Sequence, residues 1–338
     1  MIRPQSGLIY GEYLTSVLDV TPPIKFDSPQ TSLPVLVMEG IVKPVLKWVG
    51  GKTQILEEVL GLFPNEMENY HEPFLGGGSV LLGLLASVEA GHTVVYGTVY
   101  ASDLNPNLIA LYKNIQSRPD EFIQETRTLI DAYSKCTGTV VNRKPTTMAE
   151  ATTSPESYYY WIRARFNALK GEERHGAAAS AMMLFLNKTC FRGVYRENGG
   201  GGFNVPYGNY SSPSIMEDAH IREVSRLISG VVFTCCGFAE ALRAVGDDDF
   251  VYLDPPYAPE NETSFVSYTA GGFDLDAHKE LFLLCANMGA QMLMSNADVP
   301  LVTKAFPSPT YTTKKISCRR AIHSKEPDSR TTEVLIRN

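Results

Sequence analysis

The 338-residue chain has no uninterrupted apolar stretch approaching the ~18–20 residues a membrane span needs. Nor does its start show a basic segment leading into an apolar core and a cleavage site, so a cytosolic (cytoplasmic) or nuclear-type compartment is the expectation. Its six cysteines, at 136, 190, 235, 236, 285 and 318, include no Cys-x-x-Cys and are accompanied by no paired histidine spacing. They read as reduced thiols, which excludes a zinc site and a disulfide framework; no metal is expected. Internal repeats are absent. A general excess of cations is absent as well, since the net charge is −7, but a global sum hides local fields. From 304 to 337 eight Lys or Arg stand against three acids. That strip is a solvated surface unless the rest of the chain needs phosphate contacts.

What is present is an α/β pattern with an interruption. Residues 1–40 hold Pro, Ser and Thr without sustained period and read as an N-terminal extension. Helical spacing at 55–63, 79–88 and 105–116 alternates with strand-like runs at 70–74 and 94–101, the latter ending at Asp103. Residues 117–150 comprise a helical stretch and a Thr- and Ser-rich loop. Two more helices are expected at 158–169 and 177–186. Residues 198–210, with four consecutive glycines at 199–202, form a mobile loop or hairpin tip. Strands at 231–235, 250–253 and 291–295 and helices at 215–228 and 276–288 then resume the pattern. The expected division is therefore a catalytic domain at 41–150 and 213–338, interrupted by an insert at 151–212.

Chemistry concentrates at Asp254-Pro255-Pro256-Tyr257, directly after the apolar run Phe250-Val251-Tyr252-Leu253. Ligands bind at the carboxyl ends of strands in open α/β sheets. Two prolines lack N–H groups and hold the preceding residue extended, which fixes where the carboxylate and its neighbouring carbonyls point. A rigid acceptor cluster beside an aromatic ring suits an amino group on a heteroaromatic base: two N–H donors meet carboxylate and carbonyl while Tyr257 stacks. The bland alternative is a Pro-rich turn ending a strand.

Three further features converge. In Phe74-Leu75-Gly76-Gly77-Gly78, glycines at a strand-to-helix turn let a bulky ligand approach the backbone, and the helix start offers free N–H groups. Asp103, at the end of the next strand, is placed either to hold ribose hydroxyls or to cap the helix that follows. Lys47-Trp48-Val49-Gly50-Gly51-Lys52 lacks the upstream glycine of a phosphate loop. It fits better as a wall over a ligand, with Trp48 packing and Lys52 supplying charge.

In this combination and order the chain resembles the DNA adenine-N6 methyltransferases of the Dam type, from Lys43 to about Arg337. The resemblance implies a Rossmann-like, S-adenosyl-L-methionine-dependent methyltransferase fold with a mainly helical, hairpin-bearing target-recognition insert. It places Trp48, Lys52, Phe74, Gly76, Gly78, Asp103 and Asp254 at the cofactor, and Asp254, Pro255, Pro256 and Tyr257 at the reacting amine. Residues 186–196 and 203–210 are similar to the family's DNA-reading hairpin and its flank. Arg196 matches an arginine that reads guanine, Val194 and Pro206 match apolar base contacts, Phe191 matches an aromatic at the stack, and Asn209 lies in the flank. Arg192 departs from Dam, which carries Asn there.

The partner so implied is double-stranded DNA, read at a short site around an AT core of the CATG or GATC kind. A cognate restriction endonuclease would act on the same site without a stable complex. Phe265, Tyr268 and Phe273 are expected at the pocket mouth, and Lys314, Lys315, Arg319 and Arg320 at phosphates. Amino methylation of cytosine, or a catalytically silent DNA-binding relative, are the competing readings; Asp in place of Ser at 254 and the order of elements favour adenine.

Overall fold

The computed structural model describes residues 41–259, 273–319 and 330–338. The expectations for residues 1–40, Phe265, Tyr268 and Arg320 lie outside the described residues, and of Arg319 only the strand position is described. Among the described residues no helix is long and apolar enough to cross a membrane.

Seven strands form one sheet: β1 (Tyr70–Glu72), β2 (Val99–Asp103), β3 (Val232–Cys235), β4 (Phe250–Leu253), β5 (Gln291–Ala297), β6 (Thr312–Arg319) and β7 (Arg330–Arg337). Their order across the sheet is β3-β2-β1-β4-β5-β7-β6. The first five run parallel, and β7 is antiparallel to both of its neighbours. Parallel strands need cover on both faces, and the central strands show it. Phe250 and Tyr252 pack into one apolar core with Tyr70, Leu293 and Leu335. Val251 and Leu253 pack into the other with Met292, Met294, Val334 and Ile336. This period-two split is what the unbroken apolar run at 250–253 encodes.

The expected strand at 94–101 is two pieces. Val94–Val95 pairs with Glu66–Met67 in a separate two-stranded ladder, and only Val99–Asp103 joins the main sheet. The break falls at Gly97, where a Cβ would lie 2.3 Å from the Asn69 side chain. That side chain instead accepts from Thr98 N at 2.8 Å, so a polar staple replaces strand continuity.

Between the strands run α1 (Ser79–Glu89), α2 (Pro106–Ser117), α3 (Pro119–Ser134), α4 (Pro155–Ala168), α5 (Ala177–Thr189), α6 (Asp218–Leu227) and α7 (Leu275–Ala286). Asn105 caps α2, its side chain accepting from the N–H groups of Asn107 and Leu108 at 3.0 and 3.2 Å. Pro106 follows at the first helical position, where its missing N–H costs nothing. Asp274 caps α7 two residues ahead of the expected start. Helix α5 packs on α2, α3 and α4, and one apolar core runs from the sheet through Phe122, Tyr158 and Phe185.

The polar face of α4 docks the segment after α5. Asn167 bonds both the N–H and the carbonyl of Phe203, and Tyr159 and Arg163 both donate to the Val205 carbonyl. An antiparallel bridge between Glu197 and Phe203 makes the four-glycine stretch a hairpin tip. Asn198 Oδ1 organises that tip, accepting from the N–H groups of Gly200 and Gly202, each at 3.0 Å.

The chain builds β1, β2 and β3 outward on one side, then returns to lay β4 on the other side of β1. Strand order thus reverses between β1 and β4, and the crevice outside their carboxyl ends is where such sheets take ligands.

Candidate active site

Both strands that flank the crevice end in an acid followed by proline: Glu72-Pro73 after β1 and Asp254-Pro255 after β4. Lys52 bridges toward the second. Its ammonium lies 2.6 Å from Asp254 Oδ2 and donates to the Gly50 carbonyl at 2.6 Å, with only 4% of the side chain exposed. Its backbone N–H donates to Ser79 Oγ at 3.0 Å, which ties the loop to the start of α1. Asp254 Oδ1 is buried and has no hydrogen-bond partner among the described residues.

The rest of the tetrapeptide is held from outside. The Pro256 carbonyl is met by His278 Nε2 of α7 at 3.2 Å, and Ala258 N–H donates to the buried Asn296 side chain at 3.0 Å. The Tyr257 hydroxyl donates to Glu333 Oε2 of β7 at 2.7 Å, and Lys52 Nζ stands 5.0 Å from the Tyr257 ring centre. Each end of the motif therefore has an anchor in a different element, which makes the geometry rigid before any ligand arrives.

The glycine loop forms a second wall. A Cβ on Gly77 would lie 2.9 Å from Trp48 Cβ and one on Gly76 3.1 Å from Trp48 Cδ1, so Trp48 packs on bare backbone there. Gly78 starts α1 from a left-handed conformation, and the Gly77 carbonyl accepts from Tyr112 at 2.6 Å. Asp103 Oδ2 accepts from Gly76 N–H at 3.0 Å, and Oδ1 accepts from Asn105 N–H at 2.9 Å. The helix cap is thus Asn105, and the capping alternative for Asp103 is set aside. Asp103 braces the glycine loop while each of its oxygens keeps a second lone pair for a ligand. Phe74 stacks on Phe238 and meets the edge of Phe273, giving an aromatic cluster beside the loop.

Among the described residues three acids, Glu72, Asp103 and Asp254, share this crevice with one ammonium, that of Lys52. Burial pushes the Asp254 carboxyl up to about 6, against the pull of Lys52. Burial pushes Glu72 up to about 8, opposed by the hydroxyl of Tyr70 and reinforced by the charge on Asp254. Asp103 is also raised by burial, with the Asn105 and Gly76 N–H groups pulling it back. With Glu72 keeping its proton at neutral pH, Asp103 and Asp254 still outnumber the one ammonium, and that excess in a buried crevice favours a ligand with a positive centre. The donor-poor, acceptor-rich lining, with an unpartnered carboxylate oxygen, fits an amine and a cation and disfavours a phosphate.

Phe191 is 49% exposed, and the Arg192 guanidinium sits 5.3 Å from its ring centre. Phe191 N–H donates to the carbonyl of exposed Pro206 at 2.9 Å, which sets the two residues side by side. Arg192 adopts φ +58°, a left-handed conformation unusual for a long side chain. Arg196 is exposed and bonds across the hairpin to Asn204 Oδ1 at 2.7 Å. Val194 is half-buried and Asn209, at φ +52°, is exposed. On β6 Lys314 is exposed, whereas Lys315 is 2.5 Å from Asp298 and shares its charge with that acid.

Sequence reasoning missed Glu72 and Glu333, and it took Asn187 and Tyr195 only as part of the hairpin segment, with no role of their own. Glu72 had a readable signal, since acid-proline ends both strands at the crevice. Glu333 had none, because it meets Tyr257 only through an antiparallel strand 76 residues away.

Residues 48–322 match the family of D12 class N6 adenine-specific DNA methyltransferases. The chain is 35% identical to Type II methyltransferase M.MjaIII of Methanocaldococcus jannaschii over 294 residues, covering 84% of this chain and 94% of that protein. It is 29% identical to a DNA adenine methylase of Haemophilus influenzae, covering 85% and 90%. It is 26% identical to Type II methyltransferase M1.LlaDCHI of Lactococcus lactis, covering 88% and 95%. The acceptor-lined crevice and the match over most of the chain agree, and this protein belongs to the D12 class of N6 adenine-specific DNA methyltransferases.

Proposed function

We propose that the chain uses S-adenosyl-L-methionine to methylate N6 of an adenine turned out of duplex DNA, at a short site of the CATG or GATC kind. The observation that carries this is Asp254 Oδ1, buried at the carboxyl end of β4 without a partner among the described residues. When bound, S-adenosyl-L-methionine supplies an electrophilic methyl group on a sulfonium. Trp48, Phe74, Gly76, Gly78 and Asp103 are the residues to hold it, and the acid excess of the crevice complements its positive charge.

The chain's own residues prepare the amine. An exocyclic N–H inside a duplex is out of reach, so the base must leave the stack at a cost of a few kcal/mol. Tyr257 offers a replacement stack. Asp254 Oδ1 and the Pro255 carbonyl accept the two N–H bonds, which draws the nitrogen lone pair out of conjugation and aims it. The nitrogen then gains a methyl and loses one proton, and the acceptor nearest that proton is Asp254. Lys52 keeps the carboxylate ionised. Orientation and electrostatics supply the rate, with no covalent enzyme intermediate.

Residues 151–212 serve as the target-recognition insert in this reading. Arg196 is the base reader, with guanidinium geometry suited to a guanine's major-groove edge. Phe191, Arg192, Val194, Pro206 and Asn209 flank it, and Lys314 contacts phosphates. Similarity to Type II methyltransferases supports a partner endonuclease that cuts the same site unless it is methylated. The test of base turning is a duplex with 2-aminopurine at the target adenine: fluorescence should rise several-fold on binding, and unchanged fluorescence in a saturated complex would refute it.

A further inference from the structure

The crevice and the hairpin are joined by a seam that the transfer chemistry does not require. Asn187, on α5, is buried. Its Oδ1 accepts from Lys47 N–H at 2.9 Å, and its Nδ2 donates to the Lys47 carbonyl at 2.8 Å and to the Gly193 carbonyl at 3.0 Å. One side-chain amide thus commits both of its donors and one acceptor position to clamp two backbones 146 residues apart, which ordinary core packing does not need. The Gly193 backbone also lies directly against the Lys47 side chain. Gly193 has φ +67°, and a Cβ there would lie 2.6 Å from Lys47 Cβ.

What the clamp joins is informative. On one side, the residue after Lys47 is Trp48, which packs on the glycine loop of the crevice. On the other, Gly193 closes the short helical turn Phe191–Gly193 and leads into Arg196. A second contact runs in parallel. The Trp48 indole stacks on Tyr195 with ring centres 5.4 Å apart, and the Tyr195 hydroxyl accepts from Asn107 Nδ2 at 2.9 Å while donating to Glu197. Asn107 lies in the first turn of α2, directly after the Asp103 loop. Both contacts therefore begin at a wall of the crevice and end in the hairpin.

We propose that Asn187 is a positioning residue that locks the Lys47-Trp48 loop to the Phe191–Gly193 turn, so that S-adenosyl-L-methionine and the specific DNA site each raise the protein's affinity for the other. This rests on the functional reading above. Ordering the Trp48 wall orders the turn, and a turn already ordered by DNA leaves less to fix when the crevice fills. Such coupling is reciprocal by thermodynamic necessity, whichever ligand binds first.

The experiment measures the affinity of the full chain for S-adenosylhomocysteine, the unreactive product, with and without a duplex carrying the site that the methyl-transfer assay identifies. The duplex should tighten binding at least about five-fold, the lower edge of usual coupling. The same factor should appear in duplex affinity with and without S-adenosylhomocysteine. Asn187→Asp keeps the shape and the acceptor but removes both donors and sets a charge against two carbonyls. It should bring the factor to within about two-fold of one, with affinity for S-adenosylhomocysteine alone changed much less. A wild-type factor of one, or a variant that keeps the wild-type factor, overturns the proposal.

Should Asn187 variants fail to fold, Trp48 reports directly. The chain has two tryptophans, so a Trp161→Phe background leaves Trp48 as the one indole. Its emission should change when the duplex binds without any cofactor; constant emission in a saturated complex overturns the seam. A protein that transfers no methyl group to DNA overturns the functional reading itself, and this inference with it.

Discussion

Lys52 Nζ stands 2.6 Å from Asp254 Oδ2, while Asp254 Oδ1, on the same carboxylate, is buried with no partner among the described residues. The ammonium occupies one oxygen and holds the charge in place; the other is left for a donor. The two oxygens thus divide the tasks of keeping the group ionised and receiving an amine.

A pH dependence follows. The carboxylate is the competent form, and burial raises its pKa to about 6, so transfer should fall as pH drops through about 6. Lys52→Met removes the group that lowers this pKa, and the acid limb of single-turnover transfer at saturating cofactor should move upward by about one to three pH units. An unmoved limb would detach Lys52 from this role.

Glu72 links the crevice to stability. Its carboxyl is raised to about 8 in the folded protein, well above an ordinary glutamate. A folded state that keeps a proton the unfolded state has released loses stability as pH rises between the two pKa values, from about 4.3 to about 8. Glu72→Gln abolishes that slope. Thermal melts should show the variant gaining several degrees over the parent at pH 8 and little at pH 5; equal differences at both pH values would contradict the assignment.

Gly77→Ala probes the wall beneath Trp48. A Cβ there would sit 2.9 Å from Trp48 Cβ, so Trp48 must shift from its root and carry the indole with it. The expected result is a KM for S-adenosyl-L-methionine raised about ten-fold or more, corresponding to about 1–3 kcal/mol of overpacking, with the KM for DNA far less affected. Equal effects on both would point to general unfolding of the loop.

Arg192 holds φ +58°, a conformation that asparagine tolerates better than arginine. Strain retained at an exposed turn suggests selection for the side chain. Arg192→Asn should therefore raise thermal stability by up to about 1 kcal/mol while shifting sequence preference or flattening the salt dependence of DNA binding. Lower stability with unchanged DNA binding would remove Arg192 from the reading surface.

Much of this was legible in the chain because local rules decided it. The apolar run at 250–253 marked a strand buried on both faces, the prolines marked its end, and glycines at 76–78 marked the approach to α1. Asp103 was ambiguous because a strand-end acid suits both a ligand and a helix start; Asn105, two residues on, takes the cap. The strand expected at 94–101 failed at Gly97, where the Asn69 side chain, distant in sequence, intervenes. Glu333 and Asn187 stayed hidden for the same reason, since their partners come from strand pairing and helix packing that no local pattern encodes.

The most direct test is incubation of the purified chain with methyl-labelled S-adenosyl-L-methionine and unmethylated duplex DNA, followed by identification of the labelled base and its sequence context. The expected product is N6-methyladenine within one short site, and Asp254→Ala should lower its formation by about 100-fold or more while DNA binding persists. Label in cytosine, no label in DNA under any condition, or full activity in Asp254→Ala would contradict the account.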